Sequence, residues 1–207
     1  MILFFDTETT GFFKDHLPVD DPSQPYLVQL AAQLCDESGR VFAGFSLIVN
    51  PSSDGSPVGI PEAASNVHGI TNEIAANIGA PLETVLSMFS HLYRRADLLC
   101  AHNVEFDKNI IEAAIARCWG KIRLLSLPLF CTMKAATPVI NLPPTERMLA
   151  AGFDKPKPPK LTECIRHFFN EDLDDAHDAM ADVVACRRVY FYLKKMETHS
   201  ARSGQMV

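Results

Sequence analysis

The chain has 207 residues, 47% of them hydrophobic, which suffices for one well-buried domain and excludes an array of domains. Its formal net charge of −6 is uneven: residues 1–93 carry 2 Lys/Arg against 11 Asp/Glu, while residues 94–207 carry 17 against 14. The basic residues gather at Arg94-Arg95, Lys121 and Arg123, Lys134, and Lys155, Lys157 and Lys160, a narrower set than the basic stripe usual in a duplex-tracking protein, which favours a short contact with a strand end, with solvated surface lysines as the plainer reading.

The apolar opening Met1-Ile2-Leu3-Phe4-Phe5 reads as a buried strand over residues 2–6. The two-residue repeat of a strand places Asp6 and Glu8 on one face. A polar, proline-broken loop over 15–25 comes next. Residues 27–35 and 41–49 read as two more strands, joined by a hairpin turn at Glu37-Ser38-Gly39-Arg40. Residues 50–66, rich in Ser, Pro and Gly, read as a second loop. After Pro81, the spacing of Leu82, Val85, Leu86, Phe89 and Leu92 predicts a helix. Residues 97–101 form a short buried strand feeding His102, and residues 103–119 form a helix with Asn103 and Asp107 on one face at its head. A strand near 129–133 precedes a proline-rich connection over roughly 137–160. Two helices, about 161–169 and 177–196, close the chain. The expected domain is residues 1–196, and 197–207 are expected to form a short disordered tail.

Cys35, Cys100, Cys118, Cys131, Cys164 and Cys186 stand singly with no C-x-x-C pair, so they read as reduced core residues and not as a disulfide or zinc frame. No apolar run approaches a membrane span, and no basic leader precedes Asp6. The expectation is a soluble cytoplasmic protein without a membrane partner.

The chemistry lies in Asp6, Glu8, Asp107 and Asp182, with His177 as the imidazole of the third pattern. Unpaired carboxylates inside an apolar strand are costly, so Asp6 and Glu8 are hard to explain as structural residues. Four carboxylates brought together repel unless cations neutralise them. The set suits a nuclease that holds two divalent metals and uses one base to activate water. His177 lies five residues before Asp182, and on one continuous helix the two would diverge by about 140°. His177 is therefore expected at the helix mouth, after the polar Asp174-Asp175, with Asp182 facing inward one turn later. Asp178, four before Asp182, competes for the same face. Plainer roles also exist: Asn103 as a helix cap, His102 as a satisfied core histidine, His68 as a turn residue and Phe106 as core.

Asp6-Thr7-Glu8-Thr9-Thr10-Gly11, His102-Asn103-Val104-Glu105-Phe106-Asp107 and His177-Asp178-Ala179-Met180-Ala181-Asp182 stand in that order, with Val67-His68-Gly69-Ile70-Thr71 between the first two. Together, over about residues 1–195, they resemble the DEDDh class of 3′–5′ exonucleases, the group of the proofreading epsilon subunit of bacterial DNA polymerase III and of ribonuclease T. The resemblance implies an α/β, ribonuclease H-like fold: a central mixed five-stranded sheet flanked by helices. It implies that Asp6 bridges two metals, that Glu8 and Asp182 complete the first site, and that Asp107 supports the second. Oxygen ligands point to two Mg²⁺ or Mn²⁺ ions, one acidifying the attacking water and one stabilising the leaving 3′ oxygen. It puts the third-motif ligand at Asp182 and makes His177 the general base. For the substrate it implies Thr9, Gly11, Asn103 and Phe106, with His68 beside the terminal nucleotide and Glu62 near it. Phe12, with Phe13 as the alternative, is the apolar wedge against the terminal base.

The implied activity is metal-dependent hydrolysis at the 3′ end of single-stranded DNA, in a repair or proofreading setting. A 3′–5′ exoribonuclease of the ribonuclease T or oligoribonuclease kind uses the same catalytic set. An inactive binding module of a replication assembly is the reading from another class, and the intact set of five argues against it. With no long tail after the last helix, a stand-alone enzyme is favoured over a DNA polymerase subunit. Monomer and homodimer are both compatible.

Overall fold

β1 (Ile2–Thr9) is the central strand of a five-stranded sheet with β2 (Leu27–Cys35), β3 (Val41–Ile48), β4 (Leu98–Ala101) and β5 (Leu129–Cys131), in the order β3-β2-β1-β4-β5. The first three strands pair antiparallel, and β1–β4 and β4–β5 pair parallel. This computed structural model describes residues 1–52, 58–122, 124–174 and 176–203, with side chains as far as 198. Arg123, Asp175 and the end of the expected tail lie outside the described residues, as do positions 53–57.

The helices are α1 (Glu62–His68), α2 (Asn72–Ile78), α3 (Leu82–Tyr93), α4 (Val104–Trp119), α5 (Thr132–Ile140), α6 (Glu146–Ala150), α7 (Leu161–Phe169) and α8 (Ala179–Ser203). A parallel partner for β1 requires a crossover. The chain makes it from β3 through α1, α2 and α3 back to β4. β1 is buried on both faces, which is why its sequence is a continuous apolar run. Leu3 and Phe5 pack with Val85, Leu86 and Phe89 of α3 and with Ile110 and Ile111 of α4. Ile2 and Phe4 pack with Ala179, Val183, Cys186 and Tyr190 of α8. The mixed sheet with helices on both faces is the expected architecture. Among the described residues, no helix is long and apolar enough to cross a membrane.

The structure departs from the sequence-based boundaries in several places, among them α2, where no element was expected, and α8, which starts at Ala179 and not at 177. β1 continues past residue 6 to Thr9, because Thr7 and Glu8 keep their backbone pairing with Leu30 and Gln29. The loop over 50–66 gives way at Glu62 to α1, which Gly69 ends in a left-handed conformation (φ 74°). β5 stops at Cys131, and the proline-rich connection carries the end of α5, despite Pro138, and all of α6. α8 runs beyond 196 to Ser203, so the first part of the expected disordered tail is helical. The short helices bury little: none of the residues of α1 or α6 is buried and only Ala75 of α2 is. They leave no apolar stripe for periodicity to detect.

Candidate active site

The site lies beside the C-terminal ends of the parallel pair β1 and β4, a crevice position common to open α/β sheets. On β1, Ile2 and Phe4 face α8, so the two-residue repeat carries Asp6 and Glu8 onto that same face. Asp182 lies in the first turn of α8. Its Oδ2 accepts the backbone N–H of His177 at 3.3 Å. His177 precedes the helix in a left-handed conformation (φ 73°), exposed at its mouth. One ligand atom each from Glu8, His177 and Asp182 lies within 4.8 Å of the others.

Asp107 arrives from the first turn of α4 and is buried. Its Oδ1 accepts the backbone N–H of Thr7 at 3.0 Å and the Thr7 hydroxyl at 2.7 Å. Thr7 sits between the two β1 carboxylates but points to the other side, and it locks Asp107 in place.

The four carboxylates are each held above the usual range. Burial does most to raise Asp6, and Asp107, Asp182 and Glu8 push it further. Burial and then Asp182 and Asp107 raise Glu8 from 4.5 to about 8. Burial raises Asp107 to about 7, against the opposing hydrogen bonds from Thr7. Burial raises Asp182 against the bond from His177. Burial and like charge together make the ionised set expensive in the metal-free protein. Divalent cations remove that expense, and a mostly carboxylate donor set fits hard cations. These residues fit the expected group.

A cleft of about 470 Å³ opens over the carboxylates. Thr9, Gly11 and Phe12 form one wall, Val67 and His68 of α1 another, and Phe106 of α4 a third. Phe12 is 89% exposed, whereas Phe13 packs against the sheet core, so Phe12 is the aromatic free to meet a ligand. The Thr9 hydroxyl donates to the Gly11 carbonyl at 2.6 Å and shapes that wall. His68 Nδ1 accepts the Ile70 N–H at 3.1 Å, so the ring both closes its turn and lines the cleft. Burial lowers the His68 pKa.

Two expected substrate residues stand apart from these walls. Glu62 is exposed in the first turn of α1, and Pro61, Ala63 and Ala64 face the cleft there instead. Asn103 is in a left-handed conformation (φ 77°), makes no side-chain cap bond, and lies outside the cleft lining. His102 is the satisfied histidine. Its Nε2 meets the Pro159 carbonyl at 3.0 Å, so that nitrogen carries the proton. Nδ1 then accepts the Thr132 hydroxyl at 2.9 Å. The neutral ring agrees with a pKa lowered by burial.

Asp178 is the N-cap of α8. Its Oδ1 accepts the N–H groups of Met180 and Ala181 at 3.0 Å each. That role occupies its Oδ1, while its charge still adds to the raised pKa values of Glu8 and Asp182; Asp182, grouped with Glu8 and His177, is the ligand candidate of the third motif. Motif reading passes over Thr7, which locks Asp107, and Gln29, which bonds Asp178 and Ala179. The available signal was a glutamine amid the apolar residues of β2.

The model of the RNase_T family, described as Exonuclease, matches residues 3–190. A bifunctional exonuclease/endonuclease protein of Mycobacterium tuberculosis is 31% identical over 142 residues, covering 66% of this chain and 19% of its own length. Among solved structures, E. coli exonuclease I in complex with a dA16 oligonucleotide superposes with a TM-score of 0.71 at 20% identity, over 94% of this chain and 40% of its own. A zinc-bound complex of the same E. coli enzyme with single-stranded DNA gives 0.68 at 19% identity, over 96% and 41%. The chain thus spans about two fifths of these structures and about a fifth of the mycobacterial relative. The likeness confirms the fold class that the strand order implies.

Proposed function

The chain belongs to the exonuclease family, and from that premise we propose that it is a 3′–5′ exonuclease of the DEDDh class. It hydrolyses the terminal phosphodiester bond of single-stranded DNA. The observation that carries this reading is the convergence of Asp6, Glu8, Asp107 and Asp182, all with raised pKa values, beside His177 in a cleft rimmed by exposed Phe12.

Asp6, Glu8 and Asp182 would hold one Mg²⁺ or Mn²⁺ ion, and Asp6 and Asp107 a second. When bound, such ions supply Lewis acidity at the phosphoryl oxygens and lower the pKa of water. The remaining work belongs to the protein. His177, exposed at the mouth of α8, accepts a proton from the attacking water as its oxygen bonds to phosphorus; the P–O3′ bond breaks, and the departing 3′ oxygen takes a proton from solvent. Such a base contributes about 10²–10⁴-fold. Thr7 holds Asp107, and the backbone N–H of His177 holds Asp182, so these oxygens are oriented beforehand. Phe12 stacks on the terminal base, which is tolerant of sequence. The oligonucleotide and the zinc ion in E. coli exonuclease I support a single-stranded substrate and a divalent cation.

The test uses 5′- and 3′-labelled DNA and RNA oligomers with Mg²⁺, Mn²⁺ or EDTA. Expected are mononucleotides released from the 3′ end of single-stranded DNA, and none in EDTA. Internal products, activity that survives the chelator, or preferential digestion of RNA overturns the corresponding part.

A further inference from the structure

Gln29 is a buried amide on β2 whose side chain reaches the start of α8. Its Oε1 accepts the backbone N–H of Ala179 at 3.3 Å. Its Nε2 donates to Asp178 Oδ2 at 3.2 Å and to the Ser46 hydroxyl of β3 at 3.1 Å. The Ala179 N–H can only donate and the carboxylate only accepts, so the amide has one allowed orientation. In the antiparallel register Gln29 is the direct partner of Glu8, so the two side chains share a face. One end of this residue is therefore anchored beside a candidate metal ligand, and the other grips the helix that delivers the next.

The grip falls where α8 takes its phase. Asp178 spends Oδ1 on the N–H groups of Met180 and Ala181, while its carbonyl accepts the Asp182 N–H at 3.0 Å. His177, immediately before, is in a left-handed conformation and bonds back to Asp182. A slip of one residue at this start turns each following side chain by about 100° and shifts it by about 1.5 Å. Either movement carries the Asp182 carboxylate away from Glu8 and breaks the bond it accepts from the His177 N–H.

We propose that Gln29 and Asp178 form a positioning clamp that sets the start of α8 and thereby the mutual placement of Glu8, His177 and Asp182. The clamp touches neither substrate nor cation; it acts through the residues that do. It rests on the exonuclease reading of the site. Outer partners of this kind are worth about 10–100-fold in metal affinity, and a misplacement of about 1 Å costs about 10²-fold in rate.

The experiment compares Gln29→Leu, Gln29→Glu, Asp178→Asn and the double variant Gln29→Glu/Asp178→Asn. Gln29→Leu deletes the hydrogen bonds at similar volume. Gln29→Glu sets a second carboxylate against Asp178. The double variant exchanges donor and acceptor: the carboxylate at position 29 accepts from Ala179, from Ser46 and from the new amide at 178, which still caps the helix. Mn²⁺ affinity by titration calorimetry, kcat and KM on a single-stranded oligomer, and the melting temperature are measured for each. Expected for Gln29→Leu and Gln29→Glu are a kcat about 10²-fold lower with little change in KM, and Mn²⁺ binding about tenfold weaker. The double variant is expected to recover both, which a merely destabilising change does not do. The clamp is overturned if the Gln29 variants lower only the melting temperature, or if the double variant is no better than the single ones. Wild-type protein and Asp182→Ala, run in parallel, keep the two readings apart. If wild type is inert with Mn²⁺, or if Asp182→Ala binds Mn²⁺ as wild type does, the exonuclease reading falls and the clamp with it. An active wild type beside unaffected Gln29 variants overturns the clamp alone.

Discussion

Replacing Glu8 with glutamine tests whether the cleft stores like-charge repulsion that a cation relieves. In the folded protein the Glu8 carboxyl titrates at about 8, against 4.5 for an unperturbed group. The folded state therefore keeps a proton that the unfolded chain has already lost. Stability of the metal-free protein must fall as pH rises from about 4.5 to about 8. Each pH unit across that window is worth at most about 1.4 kcal/mol, which bounds the effect at about 5 kcal/mol. Glu8 shares the repulsion with Asp182 and Asp107, and sharing reduces the expectation to about 2–3 kcal/mol. Glu8→Gln keeps the shape and removes the charge. In EDTA at pH 8.5 it should melt about 5–10 °C above wild type, at about 2–4 °C per kcal/mol for a chain of this size. At pH 4.5 the two should melt together. Mg²⁺ at a thousand times its Kd should reverse the order at pH 8.5, because it stabilises wild type by about 4.1 kcal/mol, more than the gap in EDTA, and the variant has lost a ligand. The assay is thermal unfolding followed by fluorescence at the two pH values, with EDTA or Mg²⁺. Equal melting of both proteins in EDTA at pH 8.5, or a wild type that gains stability over the window, refutes the reasoning.

Asp6→Ala and Asp182→Ala should each abolish nucleotide release while leaving the metal-free fold at least as stable, since each removes repulsion; near-normal turnover in either frees that residue of its assignment. His177→Ala should still bind Mn²⁺ in a calorimeter while kcat falls by about 10²-fold or more, with part of the rate returning as pH rises. Loss of Mn²⁺ binding would instead make His177 a ligand, as its place in the Glu8–His177–Asp182 group permits. Phe12→Ala should weaken binding of a single-stranded oligomer by about 1–3 kcal/mol whatever the terminal base; an unchanged KM and Kd would place the stacking surface elsewhere in the cleft.

Residue type and local periodicity by themselves made the candidate carboxylates legible, and the family resemblance supplied their expected roles. Asp6 and Glu8 in an apolar strand, and Asp107 at the head of a helix, were legible because strand and helix repeats dictate which neighbours share a face. The five-residue step from His177 to Asp182 was legible for the same reason, since it could not be accommodated on one helix, and α8 begins after His177. The five strands followed from apolar runs and turn residues, and their mixed sheet was what the resemblance implied. Tertiary structure decided what no local pattern encodes. Asp178 and Asp182 share a face by spacing alone, and only the fold shows that Asp178 caps α8 and takes a bond from Gln29, on a strand far away in the chain. Phe12 and Phe13 are adjacent, and their difference lies in whether the sheet core has room for the ring. Glu62 and Asn103 carry suitable side chains, but the path of α1 and the left-handed turn before α4 leave both outside the cleft lining. Short helices such as α1 and α6 bury too little to mark themselves, so their ends are set by contacts from elsewhere. Local preferences act over one or two turns of chain, whereas a side chain's final neighbours depend on packing between distant segments, and the second level assigns roles among residues that the first makes equivalent.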